Sequence, residues 1–118
     1  MGKIEEKRKT PRVEEKLPLK VKEGDYRAVV ETKNISATGV YFTTEKPLPL
    51  MSKVSVTLLL PTHAARNTKV ECSGTVVRII PVPSQEKTIY ETAIFFDDIT
   101  DRAKAIISRH IKKVISQG

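Results

Sequence analysis

Two arginines, Arg8 and Arg12, stand four residues apart in the basic run Lys7-Arg8-Lys9-Thr10-Pro11-Arg12. A guanidinium is a planar fork of donors. It matches the O6/N7 edge of a guanine, and it clamps phosphate oxygens with the same geometry. Pro11 has no N–H to give a helix, and it pushes Thr10 toward extended backbone. The pair is therefore not read as one helix face. In an extended arm the two arginines can span roughly 13 Å, which suits a compact ligand with two phosphates or two bases. Further along comes Asn34-Ile35-Ser36-Ala37-Thr38-Gly39. Asn34 offers a side-chain acceptor and donor to a base edge, and Ser36 a hydroxyl. Gly39 lets a base or phosphate approach the backbone where a side chain would block it. Each motif also has a plain explanation. The arginines suit a solvated charged arm, and Asn-x-Ser-x-x-Gly suits an ordinary Asx-type turn.

The elements that must position these residues are mostly strands. Residues 1–16 read as a flexible basic arm, and residues 17–118 as one folded unit. Leu17–Lys22, Tyr26–Ile35, Val40–Thr44, Val54–Leu60, Lys69–Ile80 and Thr88–Phe96 alternate or are β-branched, and polar turns with Gly or Pro separate them. Gly74 marks a bulge or bend in the fifth. Six strands with no helix between them predict a mainly β fold, an antiparallel sheet closed into a small barrel. The period then changes. Ile99, Ala103, Ile106, Ile107, His110, Ile111, Val114 and Ile115 recur at helical spacing. This predicts a C-terminal amphipathic helix of about four turns, with Asp97, Asp98 and Thr100 as its start signals. Lys112 and Lys113 are placed in its last turns.

With 118 residues, 39% hydrophobic and 30% charged, the chain is a single folded domain. No apolar run approaches the roughly 20 residues of a membrane span. There is no signal-peptide pattern and one cysteine, Cys72, so a cytoplasmic location is expected. A net charge of +7 points to anionic partners. The enzymatic readings fail. His63 has no Cys, His, Asp or Glu at ligand spacing, His110 is on the helix's apolar side, Cys72 lies within a strand as a small core residue, and Asp97-Asp98 precede a helix as caps. No phosphate loop, dinucleotide fingerprint or nucleophile elbow occurs. Binding of single-stranded nucleic acid needs exposed aromatics. Three Phe, three Tyr and no Trp must also serve the core, so nucleic acid is not expected as a partner.

An Arg-x-x-x-Arg arm, then a strand, then Asn-x-Ser-x-x-Gly resembles the PilZ domain family. Arg8 to Arg12 match its first motif, and Asn34 to Gly39 its second. The likeness runs on through Val54–Leu60 and Pro61, Gly74-Thr75-Val76-Val77-Arg78 and the Tyr90–Phe96 strand. It thus covers about residues 7–115. It implies a six-stranded barrel with a C-terminal helix and a non-enzymatic receptor for cyclic di-GMP, a bacterial second messenger. The ligand-binding residues it implies are Arg8, Arg12, Asn34, Ser36 and Gly39, with Lys7 and Lys9 adding charge. Arg8 and Arg12 would clamp phosphates and guanine edges as the arm wraps onto the barrel. Lys7 before the arginine motif favours a stacked dimer of the ligand. No metal or other cofactor is implied, and the output would pass through a protein partner. The alternative is a structural or motility adaptor with the same fold and no nucleotide. Two positions depart from the family pattern: Ala93, where relatives often carry Gly, and Asn34, which lacks the carboxylate of the Asp version.

Overall fold

The computed structural model describes residues 11–61 and 67–117. Along them run β1 (Arg12–Glu14), β2 (Pro18–Glu23), β3 (Tyr26–Ser36), β4 (Gly39–Thr44), β5 (Lys53–Pro61), β6 (Asn67–Pro83), β7 (Thr88–Asp98) and α1 (Asp101–Gln117). The alternating residues that predict strands also choose their faces. In β5, Val54, Val56, Leu58 and Leu60 are buried, and in β2 Leu19 and Val21. The sheet order is β3-β2-β5-β6-β7-β4, and β4 pairs back onto β3, so six antiparallel strands close a barrel. Closure satisfies strand edges that an open sheet would leave exposed. Phe42, Ile35, Val40, Val76, Ile94 and Phe96 fill the interior between β3, β4, β6 and β7.

The seventh strand, β1, lies where the sequence reading places the end of the arm. Arg12, Val13 and Glu14 pair with Ser36, Ile35 and Asn34 of β3. β2 pairs with Tyr26–Glu31 of the same strand, on the same edge. Together β1 and β2 act as one long strand interrupted at residues 15–17. The interruption sits opposite an irregularity of β3 at Thr32/Asn34. The Thr32 hydroxyl knits it, accepting from Leu17 N at 2.9 Å and donating to the Glu15 carbonyl. Val13 is buried, which anchors the segment. The arm expected over residues 1–16 therefore becomes sheet at Arg12, and its earlier part lies outside the described residues.

Other boundaries also shift for local reasons. β6 runs on to Pro83, past Pro81, because β5 pairs with it only as far as Thr75. Beyond that point one edge has no β5 ladder to supply, so proline is tolerated. Gly74 does sit at a register shift against β7, where an added Cβ would lie 2.5 Å from the Phe95 carbonyl oxygen.

Asp97 and Asp98 end β7 and do not cap the helix. Thr100 does: its hydroxyl accepts from Ala103 N at 3.1 Å. Asp97 instead accepts from Lys53 Nζ at 2.6 Å and from the Thr75 hydroxyl, which together hold its carboxyl below the usual range. The helix continues to Gln117, so Lys112 and Lys113 fall short of its last turn, which has no basic residue. Its buried stripe is Ala103, Ile107, His110 and Ile111, facing β1, β3 and β6.

Phe42 is the largest fully buried side chain. Phe42→Ala is expected to cost about 3–5 kcal/mol, through lost burial plus the cavity it leaves. A urea unfolding series checks this, with the midpoint falling and the slope unchanged.

Candidate functional site

The strand register lays two rows of residues across the outer barrel face. One runs Glu14, Asn34, Tyr41, Ala93, Arg78; the next runs Arg12, Ser36, Gly39, Phe95, Thr75. Their sequence neighbours Ile35, Val40 and Ile94 point into the core. A cavity of about 290 Å³ lies over these rows. The small residues Gly39 and Ala93 form its floor. Arg12, Asn34 and Thr38 stand on one side, and Val77, Arg78 and Phe95 on the other. The β6 irregularity between Val76 and Arg78 is what brings both Val77 and Arg78 outward.

The first motif and the second meet directly. Arg12 Nη1 donates to Asn34 Oδ1, and its Nη2 donates to Ser36 Oγ at 3.3 Å. The Asn34–Gly39 stretch is mostly strand: Asn34 to Ser36 end β3, and only Ala37-Thr38 turns. Ser36 Oγ organises that turn, accepting from Thr38 N at 3.1 Å and lying 3.1 Å from Thr38 Oγ1. Gly39 also has a packing reason, which the sequence does not suggest. Its φ is not positive, and a Cβ there would lie 2.5 Å from the Ile94 carbonyl oxygen of β7. The glycine is set by close packing of β4 on β7. Lys7, Arg8 and Lys9 lie outside the described residues, as does His63.

Sequence reasoning does not single out Tyr41, Val77, Arg78 and Phe95 as site residues. Tyr41 donates to Glu91 Oε1 at 2.6 Å. That hydrogen bond, then burial, raises its phenol pKa, while nearby Arg78 pulls the other way. The signal for Tyr41 is its place just past the second motif, two residues after Gly39 on β4. Arg78 gives none, since the bulge that turns it outward does not show in alternation. Phe95, expected to serve the core, is 50% exposed, next to Val77.

Among the described residues, no three His, Cys, Asp or Glu come together as metal ligands. Cys72 is half-buried against the core, and burial above all, then Asp98 and Asp97, lifts its thiol to about 11. A thiolate is the nucleophile, so Cys72 is unreactive near neutrality. His110 Nε2 lies 2.7 Å from Glu15 Oε1, tying α1 to the segment just after β1.

The model of one protein family, the PilZ domain, matches residues 6–113. The chain belongs to the PilZ domain family. Comparison with curated proteins by sequence finds no match. Among solved structures, Bacillus subtilis inhibitor of motility (MotI/DgrA) is similar with a TM-score of 0.77 and 18% identity, over 94% of this chain and 52% of that one. The K. pneumonia MrkH–c-di-GMP complex gives 0.70 and 13%, over 93% of this chain and 53% of that one. The PilZ domain of YcgR from Escherichia coli, solved with c-di-GMP, gives 0.62 and 12%, over 93% and 95%. The chain thus spans about half of MotI and MrkH and nearly all of the YcgR domain. At these identities the likeness is one of fold, and the six-stranded barrel with its C-terminal helix is the PilZ architecture. No helix among the described residues is long and apolar enough to cross a membrane.

Two outcomes test the packing at this site. Gly39→Ala is expected to lower stability by about 1–3 kcal/mol, because only backbone stands in the way of the new methyl group; thermal unfolding measures it. For Cys72, the folded protein holds the thiol proton more tightly than the unfolded chain. The contribution to stability is full below pH 9 and is lost as pH rises through 11. Alkylation at pH 8 should be slow in buffer and fast in urea.

Proposed function

We propose that this PilZ domain is a receptor for cyclic di-GMP, acting by binding and not by catalysis. The observation that carries the reading is the junction of Arg12 with Asn34 and Ser36. Two motifs far apart in the chain share one hydrogen-bonded network at the edge of an open cavity. A guanine fits its chemistry. With Asn34 Oδ1 accepting from Arg12, the amide N–H₂ would be the group to meet a ligand, and it suits the O6/N7 acceptors of guanine. Arg12 and Arg78 bring positive charge to both sides of the cavity, matching the two phosphodiesters. The neutral Asn34 gives up a charge-assisted bond to guanine N–H donors, which the Asp version of the motif would make. Ala93 on the floor brings one methyl group nearer the ligand than glycine would.

The c-di-GMP complexes of MrkH and the YcgR domain support the same ligand for this fold. In this reading Arg8 comes onto the ligand from the preceding arm, Lys7 and Lys9 add charge, and Lys7 favours a stacked dimer of the ligand. Exposed Val77 and Phe95 border the cavity, so bound ligand would change the surface a protein partner meets. Location in the cytoplasm, where the messenger is made and read, belongs to this reading.

Calorimetry with cyclic di-GMP is the test. Binding to the full chain is expected, and Arg8→Ala or Arg12→Ala should each weaken it by about 1–3 kcal/mol. The stoichiometry separates one bound nucleotide from a stacked pair. No heat at micromolar protein, or equal binding by the double arginine variant, overturns the reading in favour of an adaptor that takes no nucleotide.

A further inference from the structure

A second cavity, of about 310 Å³, lies on the other side of Thr38 from the first. Its walls are Pro11 just before β1, Ala37 and Thr38 of the β3–β4 turn, and Lys104, Ser108, Ile111 and Lys112 from α1. Among the described residues, none that lines it is acidic. The helix has none after Asp101, while Arg102, Lys104, Arg109, Lys112 and Lys113 all lie along it. Among the described residues, no ion pair takes up Lys104 or Lys112. Spacing of four residues puts Lys104, Ser108 and Lys112 in one line along the helix, about 12 Å from end to end. Flexible four-carbon stems let both ammonium groups converge above the Ser108 hydroxyl.

The position of this basic wall matters more than its charge. Thr38 lines both cavities, and Pro11 directly precedes Arg12. An anion held between α1 and Thr38 would therefore adjoin whatever rests on Arg12, Asn34 and Gly39. It would also cross-link the helix to the β3–β4 turn. Resting on the cyclic di-GMP reading above, we propose that Lys104, Ser108 and Lys112 form an anion subsite with Thr38. It would take a phosphodiester of the nucleotide whose guanine occupies the Arg12 cavity. The helix then becomes part of the receptor surface that senses ligand, and binding clamps α1 against the turn.

The experiment is calorimetry of the full chain with cyclic di-GMP, comparing two charge-matched double variants. Lys104→Gln with Lys112→Gln removes the subsite cations. Lys20→Gln with Lys69→Gln removes the same charge from exposed strand positions on β2 and β6. All four positions are solvent-exposed, and circular dichroism confirms that both variants fold. The first double variant should bind about tenfold more weakly, and the second within about twofold of the parent. Ser108 and Lys112 amide signals should move on saturation of the parent. Equal loss in both variants, no loss in the first, or unmoved helix amides overturns the subsite while leaving the Arg12 reading intact. A parent chain that binds no cyclic di-GMP overturns both.

Discussion

The close contact of β4 with β7 at Gly39 is the constraint on which the rest depends. There is no space between the Gly39 α-carbon and the Ile94 carbonyl for even one methyl group. Phe96 N donates to the Thr38 carbonyl at 2.8 Å, extending the contact one residue into the turn. With that approach β4 can pair with β7 along its whole length and with β3 at the same time, and the barrel closes. Closure in turn decides which side chains become neighbours. Arg12 reaches Asn34 because β1 and β4 flank the same end of β3. Arg78 faces the same cavity because β7 carries the register two strands further.

Much of this is legible in the sequence, and the part that is not has a common cause. Alternation finds the six barrel strands, since each has a buried and an exposed face. The helical period finds α1 for the same reason. Arg12–Glu14 escapes because three residues are too few to show a period, and Val13 is the one among them that is buried. Arg78 escapes because a bulge breaks the alternation by which faces are assigned. Asp97-Asp98 have the composition of a cap, yet β7 runs through both, Asp98 pairing with Ser73 and Asp97 bonding Lys53 and Thr75, and Thr100 is left to cap the helix. The two motifs are legible as a pair. The bond between them is not, because sequence spacing carries no register between strands.

The Asn34–Gly39 motif also shows how one residue can serve two causes. The sequence suggests Gly39 as room for a ligand, and the structure assigns it to backbone packing. The two are compatible in geometry. A glycine demanded by β7 also leaves the outer surface low at that point, and Ala93 beside it keeps it low. Ser36 shows the same economy. Its hydroxyl shapes the Ala37-Thr38 turn and accepts from Arg12, so the turn and the arginine share one atom. A ligand that draws Arg12 away from Ser36 would leave the turn's own hydrogen bonds in place.

That separation bears on how a binding event could reach the rest of the molecule. β1 is short, and it is held by its ladder with β3, by buried Val13 and by Glu15 at its C-terminal end. Glu15 N donates to the Lys33 carbonyl, and the Glu15 carboxylate meets His110 of α1. His110 is buried, and its contact with Glu15 joins the helix to the segment just after β1. This short strand thus carries Arg12 at one end and abuts the Glu15–His110 contact with α1 at the other. Were Arg12 to move onto a ligand, the displacement would meet Glu15 first and, through His110, α1. The six-stranded barrel is closed by the β3–β4 pairing, and β1 and α1 are the two described elements outside that closed ring.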